Sequence, residues 1–574
     1  MLFPELKMNL IFGLKYISVH WKFIVIVLVP LIFLPLPLQG SKELRCAYVV
    51  CIMAFYWMTE AIPLPVTSLL PVVLFPLLDV ESTGKICVVY LKETNMMFIG
   101  GLIVAIAVEH CKLHVRIALK VLLMIGTSPK RLLLGFMVTT MFLSMWISNT
   151  ATTAMMMPIL IAVLDTLKSW QYEADGNRRP SLTLTAGVTK SRHDSGTFDQ
   201  ETRRKSSIRI DISSINRPTK DQICYFLGIA YAANIGGTGT ISGSGTNLVF
   251  KGIFEGLFPN EGGVNFASWM AFTVPVMLIN CFIAWIWLQI LYMGLLRYRK
   301  GKMRSTPEQQ KAVRELIKKK YKDLGQMTYH EVNVLILFLI LVGLWFFRKP
   351  EFIPGWGQIY DDVNIEDATA AMLIVFLLFV LPANLDFLNF GRKVGKESPA
   401  LLNWKIVHEK VPWGLVLLMG GGFAMAAASQ KSGLSEMLGE QLIGLQELPP
   451  IAILTVVCLS TTFVTEVSSN TAIANIVLPV LAKLCAAIGV NPLYLMLPTT
   501  LCCSYAFMLP VATPPNAIVM AASNMRSLDM IKAGFGMNVM CVFSLIICFL
   551  TFGTEIYHLQ VPLDARFNAN LTIT

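Results

Sequence analysis

Apolar residues in this chain come in long runs and do not alternate with polar ones. The stretches 23–38, 334–347 and 537–552 carry almost no charge, and a bilayer core accommodates about 20 residues of helix. This patterning predicts spans near 22–38, 45–62, 64–79 and 96–111, followed by an amphipathic helix near 112–127. The next apolar run, 132–164, is broken at Ser148-Asn149-Thr150 and has basic segments on both flanks. Equal charge on both sides predicts that 130–165 enters and leaves one face, as a re-entrant hairpin with the tripeptide at its tip.

Beyond the polar segment 168–220 the pattern predicts a broken span at 222–253, a span at 267–296, a basic loop at 297–328 and spans at 330–347 and 368–383. It then repeats. A span at 413–427 carries Gly420-Gly421-Gly422, echoing Gly100-Gly101. A second hairpin at 449–489 carries Ser469-Asn470-Thr471, a second broken span at 493–524 carries Ala512-Thr513-Pro514, and a last span covers 532–554. The expected fold is an all-α membrane protein with about 11 transmembrane helices and two re-entrant hairpins, its halves related as an inverted repeat.

Composition agrees: 55% of the 574 residues are hydrophobic and 14% are charged, against roughly a quarter charged in soluble domains. The net charge of +11 does not point to nucleic acid, because its distribution follows topology. Lys and Arg gather at the N-terminus and in 112–131, 168–220, 297–322 and 392–410, whereas acidic residues gather in 351–367. The positive-inside rule makes the first set cytoplasmic. Counting spans then puts the N-terminus inside and the C-terminus outside, where the sequon Asn570-Leu571-Thr572 is usable.

Lys7, Lys15 and Lys22 precede the first apolar run with no small-residue cleavage site after it, so that helix is expected to stay. The segment 168–220 is too polar to bury a core and is expected to be a disordered cytoplasmic loop. Its Arg203-Arg204-Lys205-Ser206-Ser207 is read as solvated basic chain rather than as a kinase site. The 12 cysteines form no CxxC pairs and are read as buried small hydrophobes.

The candidate chemistry lies in the two tripeptides. Each is followed downstream by a small-polar break ending in Asn, Ser244-Gly245-Thr246-Asn247 and Thr513-Pro514-Pro515-Asn516. Paired interruptions in corresponding halves point to a midplane binding site of a transporter. Ser, Asn and Thr offer donors to carboxylate oxygens and oxygens to a hard cation, and helix N-termini favour anions. The tips hold no Lys or Arg, so an anionic substrate needs counter-charge, and sodium ions are the natural supply.

The run Gly236-Gly237-Thr238-Gly239-Thr240-Ile241-Ser242-Gly243 lacks the Gly-Lys-Ser/Thr ending of a phosphate loop. Its glycines, and Pro510, Pro514 and Pro515 in the second half, are read as helix-unwinding residues where an ion binds. Glu60 and Glu466 are read as structural hydrogen-bonding residues, and Glu109 as the cytoplasmic end of its span. No nucleophile–base pair or metal-ligand spacing stands near the tips, which argues against an enzyme.

These residues resemble the divalent anion/sodium symporters, solute carrier family 13, over nearly the whole chain. The match includes Tyr56-Trp57-Met58-Thr59-Glu60-Ala61-Ile62-Pro63, Ser144-Met145-Trp146-Ile147-Ser148-Asn149-Thr150, Val411-Pro412-Trp413-Gly414 and Leu509-Pro510-Val511-Ala512-Thr513-Pro514-Pro515-Asn516-Ala517. The dicarboxylate and citrate carriers are closer in pattern than the sulfate carriers.

The resemblance implies a homodimer in the plasma membrane, with a fixed scaffold and a transport domain that moves like an elevator. Residues 1–127 and 297–445 would supply the scaffold, and 128–296 and 446–574 the transport domain. One sodium site would use Ser144, Ser148, Asn149 and Gly245, and the other Thr465, Ser468, Asn470 and Ala512. Substrate would meet Ser148, Asn149, Thr150, Ser244, Gly245, Ser469, Asn470, Thr471 and Thr513. Thr246 and Ser468 depart from residues common in relatives and bear on both ion sites. Thr150 and Thr471 favour sodium-coupled symport of succinate or citrate over a sodium-independent exchanger or a sulfate carrier.

Overall fold

The structure is a computed structural model and describes residues 19–174, 218–259, 264–294, 306–350, 353–360, 363, 365–385, 398–442 and 448–559. The expectations for the N-terminal lysines Lys7 and Lys15, the Arg203 to Ser207 segment and the Asn570 sequon lie outside these residues. Apart from the single bridge between Pro382 and Ala400, the regular structure among the described residues is helical.

The first part holds α1 (Val19–Leu38), α2 (Lys42–Thr59), α3 (Leu64–Leu77) and α4 (Glu93–His110). The amphipathic α5 (Leu113–Ile125) follows, with Leu113, Ala118, Leu119 and Leu122 on its buried face. Next comes the first hairpin, α6 (Pro129–Ser144) and α7 (Asn149–Ala174), which meet at the break 145–148. The helix runs past the expected boundary at 168, through Ala174. The broken span consists of α8 (Lys220–Gly236) and α9 (Gly245–Leu257), followed by α10 (Phe266–Leu288).

The second part holds α11 (Pro307–Asp323), α12 (Tyr329–Phe346), α13 (Asp367–Val380), α14 (Trp404–Lys410) and α15 (Trp413–Lys431). The second hairpin is α16 (Pro450–Val464) and α17 (Asn470–Ile488). The second broken span is α18 (Pro492–Cys502) and α19 (Pro514–Ser523), and α20 (Ser527–Cys548) ends the series.

Local chemistry sets the helix starts. Capping boxes open α8 (Thr219 with Gln222), α10 (Asn265 with Ser268), α11 (Thr306 with Gln309) and α12 (Thr328 with Glu331), each satisfying amide groups the helix leaves bare. Glu331 also meets the buried Arg116 of α5 at 3.1 Å, and Arg116 donates to the carbonyls of Leu324 and Gly325. A buried guanidinium with its donors engaged anchors the amphipathic helix.

Eight helices among the described residues are long and apolar enough to cross a membrane, fewer than the 11 expected. Two of the eight, Asn149–Leu167 and Asn470–Ile488, are hairpin arms; among the expected spans, Leu64–Leu77 and Asp367–Val380 stop early, Lys42–Thr59 carries Lys42, Glu43 and Arg45, and the two broken spans are divided into shorter helices. α8, by contrast, is buried from Gln222 to Gly236 without an exposed stripe, which places it at the centre of the packing.

The packing partners recur. α8 lies against α6 in the first half, and α18 against α16 in the second. The halves also interlock, with α9 packing on α17 and α19 on α7. The second segment of each broken span is therefore covered by the hairpin of the other half.

Candidate functional site

Each broken span ends its interruption in the same way. Asn247 Nδ2 donates to the carbonyls of Gly237 (3.0 Å) and Thr240 (2.8 Å). Asn516 Nδ2 donates to those of Ala506 (2.9 Å) and Leu509 (3.0 Å). The carbonyls stand 10 and 7 residues back in both cases. The residues that open α9 and α19 also share one conformation: Ser244 has φ −144 and ψ 145, Thr513 φ −143 and ψ 148. Backbone polar groups freed from a helix inside a membrane protein need internal partners, and the two asparagines supply them.

The first tip fits against its own broken span. Ser144 Oγ lies 2.6 Å from Asn149 Oδ1 and 2.8 Å from the carbonyl oxygen of Ala233. One hydroxyl proton faces two acceptors, so three oxygens crowd one place, an arrangement suited to a hard cation. Gly237 is required here, since a Cβ on it would stand 2.6 Å from Asn149 Oδ1. Ser148 Oγ accepts from the Ala151 amide and so caps the start of α7.

In the second tip, Ser469 opens α17 without a side-chain cap bond. Ser468 Oγ and Asn470 Oδ1 are buried and have no hydrogen-bond partner among the described residues. Thr465 Oγ1 donates to the Thr462 carbonyl at 3.0 Å, which leaves its lone pairs free. Two orphaned buried oxygens fit a cation better than they fit helix capping. Glu466 ties this tip to the second break by accepting from the amides of Phe507 (2.7 Å), Met508 (2.9 Å) and Leu509 (2.9 Å) and from Asn538 Nδ2 (2.7 Å).

The structural reading of Glu466 agrees with this geometry. Glu60 differs: it is exposed, has φ +49 and bonds through its backbone carbonyl to Lys22 Nζ. Glu109 ends its helix as expected, paired with Lys410 at 2.5 Å.

The two halves meet through polar groups. A Cβ on Gly245 would come 3.0 Å from Thr471 Oγ1, which sets the start of α9 against the start of α17. Asn234 Nδ2 donates to Thr513 Oγ1 at 3.1 Å. Thr246 Oγ1 lies 2.9 Å from Ser244 Oγ and 3.0 Å from Ser504 Oγ. Ser144, Asn149, Ser244, Gly245, Thr471 and Thr513 are thus joined in short-range networks. No such contact links Thr150, Ser469 or Ala512 to the others among the described residues; Thr150 is exposed and Ala512 buried.

Ala233, Asn234 and Ser504 were not expected as contacts. The signal for Asn234 was an amide inside the otherwise apolar run 223–235. A backbone carbonyl such as that of Ala233 leaves no sequence signal. The 12 cysteines are free and mostly buried, as expected.

The sequence of this site can be set beside known proteins. A family described as the sodium:sulfate symporter transmembrane region matches residues 17–559. The chain is 42% identical to the protein named I'm not dead yet of Drosophila melanogaster, over 95% of this chain and 90% of that one. It is 42% identical to the Na(+)/citrate cotransporter of Rattus norvegicus, over 95% and 97%. It is 43% identical to solute carrier family 13 member 2 of Homo sapiens, over 94% and 93%. With the match running through both hairpins and both broken spans, this chain belongs to the divalent anion/sodium symporter family, solute carrier family 13, and is a membrane transporter rather than an enzyme.

Proposed function

We propose that the protein is a sodium-coupled symporter of di- and tricarboxylates, succinate and citrate among them, across the plasma membrane. Sodium is the coupling ion, and no organic cofactor takes part. The observation that carries this reading is the pair of oxygen-rich tips, one crowding Ser144, Asn149 and the Ala233 carbonyl together and the other holding Ser468 and Asn470 without partners. Relatives named as Na(+)/citrate and Na(+)/dicarboxylate cotransporters support it.

Coupling follows from charge. The segments 132–167, 222–250, 449–482 and 484–525 contain no Lys or Arg, so the hairpins and breaks have no fixed cation for a carboxylate. The N-termini of α7, α9, α17 and α19 contribute partial positive charge and free amides. Sodium held at the two tips by Ser144, Ser148, Asn149 and Gly245, and by Thr465, Ser468, Asn470 and Ala512, supplies the rest. Ser148, Asn149, Thr150, Ser244, Gly245, Ser469, Asn470, Thr471 and Thr513 then donate to the substrate. Each ligand raises the affinity for the other by the same factor.

The same reading gives the motion. Residues 128–296 and 446–574 carry the site as one body against 1–127 and 297–445, in an elevator-like movement within a homodimer. The N-terminus faces the cytoplasm and the C-terminus the outside. Packing of α10 in the first half on α20 in the second supports a single moving body.

Uptake of labelled succinate and citrate, with sodium replaced by choline, tests the function. Loss of uptake in choline is expected. Uptake that persists in choline and is driven by internal anion identifies an exchanger instead, and sulfate uptake without carboxylate uptake overturns the substrate class. Cysteines introduced at Lys130 and Leu448 test the topology: impermeant reagents should reach them from opposite faces.

A further inference from the structure

The two ends of α4 have opposite surroundings. At its first residue, Glu93 lies in a cluster of charges centred on the buried Lys251 of α9. Lys251 has no exposed surface, and its ammonium lies 2.8 Å from Glu255, 3.5 Å from Glu93 and 3.5 Å from Asp367. Arg348 closes the cluster from the other side, 2.5 Å from Asp367 and 2.9 Å from Glu366. At the far end of α4, roughly 27 Å away by helical rise, there is open space. A cavity of about 230 Å³ is bounded there by Glu109, His114, Ile147, Ala151, Thr152, Ala154 and Met155. One wall is the end of α4 and the start of α5, and the other is the tip region of the first hairpin.

We propose that the Lys251 cluster is a latch that seals one face of the protein against the body carrying the tips, and that the cavity at Glu109 is the opening on the opposite face. This rests on the transport reading above. Lys251 and Glu255 belong to the proposed moving body, whereas Glu93, Arg348, Glu366 and Asp367 belong to the proposed frame. Sliding α9 along α4 and α13 breaks the pairs of Lys251 with Glu93 and Asp367.

The cluster is built to survive that break. Lys251 keeps Glu255, four residues along its own helix. Asp367 keeps Arg348, and Glu93 keeps the Ala368 amide, which it accepts at 2.9 Å. Each side therefore retains internal partners, so no charge is stranded when the faces part. Lys251 is a positioning residue: it touches neither tip and acts through α9, whose first residues are Gly245 and Thr246.

The test uses the full-length chain in membranes with a reporter at Ala154, which is exposed on the cavity wall. The labelling rate of Ala154→Cys by an impermeant maleimide is measured without substrate, against the unsubstituted chain as background. It is then measured again with Lys251→Met or Glu93→Gln added. Weakening the latch is expected to shift the population toward the opposite state and to slow labelling at least about threefold in both. Unchanged labelling in variants present at normal surface level overturns the latch. If Lys251→Met does not reach the surface, Glu93→Gln decides, since it keeps the shape and the bond from Ala368. The readout needs no substrate, so an absence of sodium-dependent carboxylate uptake sinks the proposed function while the labelling result still stands.

Discussion

The two hairpin tips hold the same tripeptide and reach the same place in their broken spans by different chemistry. Three residues before the Ser of each tripeptide stand Met145 and Glu466. Seven residues before the Asn that closes each break stand Thr240 and Leu509. In the first half Thr240 Oγ1 donates to the Met145 carbonyl at 2.5 Å. In the second, the Leu509 amide donates to the Glu466 carboxylate at 2.9 Å. The first break has bare carbonyls to satisfy, and side-chain donors meet them, including Trp269 to Thr238 and Thr273 to Gly239. The second has bare amides as well as the carbonyls that Asn516 meets, and one buried carboxylate gathers the amides. A fixed requirement to pair backbone groups in an apolar setting thus admits two solutions.

The comparison gives Glu466 more structural weight than its counterpart. Replacing it with Leu leaves the amides of 507–509 and the Asn538 side chain without their acceptor. A loss of about 3–5 kcal/mol follows, read as collapse of the melting temperature or of surface expression. Met145→Leu keeps volume and backbone and should cost under about 1.5 kcal/mol. Equal losses from the two would break the argument.

At the tripeptides the halves should instead behave alike. Asn149→Ala and Asn470→Ala are each expected to abolish nearly all sodium-dependent uptake while protein still reaches the surface, because each amide is assigned to both a cation and the substrate. Wild-type-like uptake by either one removes that tip from the site.

A smaller effect is expected at the asparagines that close the breaks. Asn247→Leu and Asn516→Leu each remove two hydrogen bonds to backbone carbonyls and should lower uptake about tenfold apiece, through misplaced helix starts. A tenfold difference between the two shows that one break is held mainly by other contacts, Glu466 being the candidate in the second half. The mildest change is Thr471→Val, which keeps shape and removes the hydroxyl beside Gly245. It should alter the ratio of succinate to citrate uptake by about two- to threefold, and an unchanged ratio with reduced stability assigns Thr471 to helix capping.

Much of this was legible in the chain itself. The length and charge of the apolar runs give a helical membrane protein, because the bilayer leaves few ways to satisfy a backbone. The repeated Ser-Asn-Thr, each with an Asn-terminated break downstream, marks both halves of the site, since polar residues survive in apolar runs where something uses them. The helix starts at Thr219, Thr306 and Thr328 follow from local capping chemistry. Tertiary structure alone decided the rest. The carbonyl of Ala233 joins the first tip, yet every residue has a carbonyl, so sequence cannot single it out. The meeting of Gly245 with Thr471 and of Asn234 with Thr513 joins residues more than 200 positions apart, and their pairing depends on how the two halves interlock. Lys251 read alone is one cation in an apolar helix with Glu255 one turn along; Glu93 and Asp367 come from two other helices, and only the packing of those helices brings them to it.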